Sequence, residues 1–146
     1  MTIYEEDILA WSETQANLLR RLAASIPKGG EHVNDEIDWE NVIEEVESVG
    51  NEQLHAVNSL LRQALLHMLK ARAWPNSRDV PHWQAESRTF LSDAADRFTP
   101  SMRQRIDLDK IYRRALKGIP DNMDGIEPLP LPKNCPMTLD ELLSDE

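Results

Sequence analysis

The chain has 146 residues, 40% of them hydrophobic, with a formal net charge of −10 and a single cysteine. This length fits one domain, 1–146, burying roughly 68–70% of the surface its unfolded chain exposes. Lone Cys135 excludes an internal disulfide framework, and no basic-then-apolar leader or run of about 18 apolar residues marks export or a membrane span, so a soluble, cytoplasmic protein is expected.

Thr2 and Glu5 have capping-box spacing, and Tyr4, Ile8, Trp11, Gln15, Leu18 and Leu22 follow at steps of three and four until Ile26-Pro27-Lys28-Gly29-Gly30 stops the pattern. The spacing predicts a first helix over 3–26 and a surface loop from Pro27 to Ile37. Asp38 is placed to cap a second helix over 38–74, whose apolar stripe runs Trp39, Val42, Ile43, Val46, Val49, Val57, Leu60, Leu61, Ala64, Met68 and Ala71 up to Trp74-Pro75. Gly50 falls on that stripe; it allows either a close helix approach or a break, because Gly costs about 1 kcal/mol relative to Ala inside a helix. Pro81 opens a third helix over 81–98, with Trp83, Ser87, Phe90, Leu91, Ala94 and Phe98 on one side, and Thr99-Pro100 opens a fourth over 100–117. The five prolines between 119 and 137 make an extended strap, and Thr138 with Glu141 caps a short terminal helix over 139–144. The expected fold is an all-α, single-domain bundle of four main helices with a proline-rich strap and a short terminal helix.

Charge is segregated: residues 29–61 carry nine acidic side chains and no Lys or Arg, whereas 62–117 carry twelve basic against six acidic. Mutual neutralisation within one bundle follows most simply, and an acidic chain of this kind argues against nucleic acid as a partner.

The landmarks "YEEDILAW" (4–11), "DWENVIEEVESVG" (38–50), "LLRQALLHMLKA" (60–71), "HWQAESRTFL" (82–91) and "CPMTLDELL" (135–143) together resemble the bacterial helical family catalogued as domain of unknown function twenty-nine, over nearly the whole chain. The resemblance implies an all-helical bacterial protein and supplies no catalytic residue. Ser87-Arg88-Thr89-Phe90 stands where that family's pattern has a Gln-Arg pair in the third helix.

At about 100° per residue, Glu40, Glu44 and Glu47 point away from a stripe centred on Val46, and Glu45 lies at its border. Glu52-x-x-His55 is half of a di-metal signature and points outward, so no metal or cofactor is expected. His67 lies beside the stripe among Leu60, Ala64 and Ala71, where a half-buried imidazole needs a partner such as Asp7 or Glu86. In a continuous helix Glu45 and His67 are about 33 Å apart; they meet only if the chain turns near Gly50 or two subunits contribute one each. The ligand-site candidates are therefore His67, Glu45, Asp7 and Glu86, with no catalytic set. Trp11, Trp39, Trp74 and Trp83 read as core anchors. The long apolar stripe with few covering elements predicts a non-enzymatic interaction module, a homodimer or a partner of another protein; the competing reading is a small-molecule or metal site around His67 and a carboxylate.

Overall fold

A computed structural model describes residues 2–27 and 33–144. The fold is all-α, and the described residues contain no strand, only an isolated bridge between Met123 and Ile126. Helices α1 (Ile3–Glu6), α2 (Ile8–Ser25), α3 (Trp39–Ala73), α4 (Val80–Arg97), α5 (Leu108–Lys117) and α6 (Leu139–Leu143) are joined by 3₁₀ turns at Val33–Glu36 and Pro100–Gln104 and by a proline-rich strap. Two compact units emerge, one made of 1–55 with 99–103, the other of 56–98 with 104–146.

In the first unit, the 3–26 helix expected from the spacing is broken at Asp7. The Glu5 carboxylate accepts from the Thr2 amide at 3.1 Å, as a capping box requires. Asp7 then leaves helical geometry (φ −153°, ψ 86°) and its carboxylate accepts from the Ala10 amide at 3.0 Å, so one helix ends and another starts on the same residue. Of the connection between Pro27 and Ile37, residues 28–32 lie outside the described residues.

The opening of α3 is as expected, with the Asp38 carboxylate accepting from the Asn41 backbone amide at 3.4 Å and from the Asn41 side-chain amide at 2.6 Å, and the Asp38 carbonyl receiving the Val42 amide at 3.0 Å. The helix runs without interruption through Gly50. A Cβ there would overlap Ser12 Oγ and stand 2.8 Å from Leu9 Cα, so the missing side chain serves close helix approach. Leu9 and Ser12 meet Gly50, Arg20 pairs with Glu47, and Ala23 and Ile26 share a cleft with Trp39. Numbers rise along α2 as they fall along α3, so the pair is antiparallel. The residues α2 buries are Leu9, Ser12 and Ala16. The stripe expected to be its core face is not buried: Leu18 is 46% and Leu22 51% exposed. The face with Ser12 and Ala16 won because the missing side chain of Gly50 lets the backbone of α2 come close there, with Leu9 packed beside the glycine.

The second unit takes α3 from Ala56 onward and packs Val57, Leu61, Ala64, Leu65 and Leu69 into its core. Close approach recurs where buried Ser87 of α4 donates to the Ala64 carbonyl at 3.2 Å. The single helix expected over 100–117 is instead a 3₁₀ turn and a separate α5, because the Asp107 carboxylate accepts from the Lys110 amide at 3.2 Å and restarts the helix. Ile111, Tyr112 and Ala115 form the buried side of α5.

The strap is held by its backbone. Trp74 Nε1 donates to the Ile126 carbonyl at 2.9 Å, the Leu129 amide donates to the Ala73 carbonyl at 3.0 Å, and the Tyr112 hydroxyl donates to the Pro132 carbonyl. A two-residue turn, Asp124 (φ 54°) and Gly125 (φ 81°), closes reciprocal bonds between Met123 and Ile126. Trp74 and Trp83 are buried in one cluster with Ala73, whereas Trp11 and Trp39 are half-buried. Thr138 and Glu141 form the expected capping box of α6.

Candidate functional site

The four residues singled out from the sequence occupy distinct surroundings. Asp7 is buried, and besides the Ala10 amide its carboxylate accepts from the Ser101 amide at 2.8 Å and the Ser101 hydroxyl at 2.6 Å. Burial pushes the carboxyl up, but the bonds from Ser101 and Ala10 outweigh it and hold it below the ordinary carboxylate range. The residue therefore ties the start of α2 to the 3₁₀ turn that carries buried Met102.

Glu45 is exposed on α3. Glu45 belongs to the first unit and His67 to the second, and α3 runs through both without the turn near Gly50 that a shared site would need. His67 is half-buried; its Nδ1 donates to the Gln63 carbonyl at 2.7 Å one turn back, and its ring lies 5.3 Å from that of Phe90. Glu86 is half-buried on α4. Among the described residues no group of three or more His, Cys, Asp and Glu side chains is placed to hold a metal ion.

Of the glutamates, Glu40, Glu44 and Glu45 are exposed, and Glu47 pairs with Arg20 of α2. This partner differs from the later arginine-rich helices expected to neutralise them. Basic side chains gather on α5, where Lys110, Arg113, Arg114 and Lys117 recur at helical spacing on the side opposite Ile111, Tyr112 and Ala115. All four are exposed. Where α3 ends, a cleft of about 480 Å³ is lined by Trp74, Asn76, Arg78, Met123 and Ile126. On α5, burial pushes the Tyr112 phenol up in pKa, Cys135 adds to this and Arg72 opposes it.

The first unit leaves large apolar side chains exposed at helical spacing. Counting about 100° per residue, Ile8, Trp11, Gln15, Leu18 and Leu22 centre roughly 110° from the buried face of α2. On α3, Val42, Val46 and Val49 centre roughly 90° in the same rotational sense from buried Ile43, Gly50 and Leu54. Because the helices are antiparallel, equal rotations bring both stripes to one side of the pair. Val42 and Val49 are each 40% exposed, and with Leu18 and Leu22 they make a two-helix apolar face at steps of four and three. The signal was in the sequence, in the Tyr4-to-Leu22 spacing, but periodicity does not say whether a stripe meets its own chain or another. The competing row Leu9, Ser12, Ala16, two of whose members are small, was the sign that α2 has two faces to satisfy.

No helix of the described residues is long and apolar enough to cross a membrane. No curated protein matches the chain. A crystal structure of an alpha-helical protein of unknown function from Rhodospirillum rubrum is similar to it, with 27% identity and a TM-score of 0.79, covering all of this chain and 92% of that one. The model of the family described as "Domain of unknown function DUF29" matches residues 3–146, which is nearly every landmark from the capped α1 to the capped α6, and the chain belongs to that family.

Proposed function

We propose that the protein is a non-enzymatic interaction module that self-associates through the two-helix apolar face of its first unit. One observation carries this reading: Leu18 and Leu22 of α2 and Val42 and Val49 of α3 are 40–51% exposed on a common side, although their spacing is that of a packed helical seam. Leaving such side chains in water forfeits on the order of 1 kcal/mol each compared with burying them, so a second apolar surface is favoured there.

Sedimentation tests it. The wild type is expected to form a dimer, and Leu18→Glu or Val49→Glu to associate about 100-fold more weakly, corresponding to about 2.7 kcal/mol. Both variants should keep the helical circular dichroism of the wild type, because neither position is in the buried core of the chain. A wild type that sediments as a monomer up to its highest soluble concentration overturns the reading.

A further inference from the structure

Resting on the self-association just proposed, we infer that the dimer lays α2 of one copy on α3 of the other, giving four helices that are antiparallel to each neighbour. Two antiparallel helices with one apolar face can be stacked face to face by a two-fold axis in only two ways. An axis parallel to the helices sets α2 on the partner's α3; an axis across them, in the plane of the interface, sets α2 on α2 and α3 on α3.

Side-chain size separates the two. The α2 stripe carries Trp11, Leu18 and Leu22, while the α3 stripe carries Val42, Val46 and Val49. Setting α2 on α3 brings Trp11 level with Val49 and Leu18 level with Val42, large against small, so these layers close at even spacing; α2 on α2 props one edge open and leaves the valines short of contact at the other.

Charge selects the same arrangement. Asp38, Glu45 and Glu52 recur at steps of seven along the flank of α3 beside the valines, and all three are exposed. The corresponding flank of α2 carries Thr14, Arg21 and Ser25, and the carboxylate in that row, Asp7, is buried at the start of the helix and bonded to Ser101. With α3 on α3 the two acidic rows face each other, at the positions that set partner choice in coiled coils. With α2 on α3, each acidic row faces the flank bearing Arg21. The face is large enough: the 18 residues of α2 span about 27 Å and two helices about 20 Å, a projection on the order of 540 Å². Accessible surface over protruding side chains exceeds projection, which brings it toward the roughly 800 Å² each partner gives to a stable interface.

The arrangement fixes a register. Leu9 and Ser12 of α2 stand level with Gly50 of α3, and an axis parallel to the helices preserves levels, so Leu18 comes opposite Val42 of the second copy. In a Cys135→Ser background, mild oxidation of an equimolar mixture of Leu18→Cys and Val42→Cys proteins is expected to give a cross-linked heterodimer as the major product. Val46→Cys alone should not cross-link to itself, since the two α3 helices lie diagonally and exceed the about 7 Å Cα limit for a disulfide. A dimeric wild type whose mixture fails to cross-link, or whose Val46→Cys protein links to itself, overturns the arrangement and leaves self-association standing. A monomeric wild type overturns both, and if its tryptophan fluorescence then shifts on titration with a basic amphipathic peptide, the face belongs to a basic helix instead.

Discussion

Asp7 shows how much one side chain can settle. It ends α1, caps α2, and receives two bonds from Ser101, 94 residues away in sequence. A charged acceptor with buried donors contributes about 1–3 kcal/mol, most of it lost when the acceptor weakens and the donors remain. Asp7→Asn is therefore expected to lower stability at pH 7 by about that amount in urea unfolding. The pH dependence has a definite sign. Asp7 is depressed in the fold, so its stabilisation is complete above its unfolded value of about 3.9 and disappears as pH falls through the lower folded value. The wild type and Asp7→Asn should differ at pH 7 and converge toward pH 2; a constant difference across that range would show that ionisation of Asp7 plays no part. His67 presents the contrasting case, a ring whose Nδ1 donates within its own helix, to the Gln63 carbonyl one turn back.

At the scale of elements, the contact of α2 with α3 turns on Gly50. In a solvent-facing helix, Gly→Ala gains about 1 kcal/mol of propensity. Here the added methyl meets the backbone of Leu9, which has no rotamer to escape into. Gly50→Ala is expected to destabilise by about 1–3 kcal/mol despite its better propensity, as overpacking does. Thermal or urea unfolding checks the sign, and a stabilised variant would mean that α2 can move aside at no cost. Caps and proline positions were readable because they depend on residues within a few places of each other, whereas the continuity of α3 through Gly50 was left open by the sequence. The break at Asp7 and the restart at Asp107 were not readable, although both are aspartates of ordinary capping type. A capping side chain overrides periodicity only when its geometry is favoured by contacts elsewhere, and for Asp7 that contact is Ser101.

For the molecule as a whole, charge and apolar surface act in opposite directions on assembly. The described residues of the first unit carry twelve carboxylates against three arginines, so two copies repel at long range. That repulsion is screened over about 8 Å at physiological ionic strength, while apolar contact is not weakened by salt. Self-association should thus tighten several-fold between about 0.05 and 0.5 M NaCl in the same sedimentation experiment. Weakening with salt would point to attraction between opposite charges as the driving force. By itself the sequence determined the helical class, the capped ends of α3 and α6, the extended strap and the family, since each is written in neighbouring residues or in a period of three to four. Only the tertiary structure decided which of the two faces of α2 is buried. Leu9 and Ser12 are chosen by a glycine that lies 41 residues beyond Leu9 in the chain, and a period within one helix carries no information about the backbone it will meet. The leucines left outside are where the candidate function lies, for the same reason.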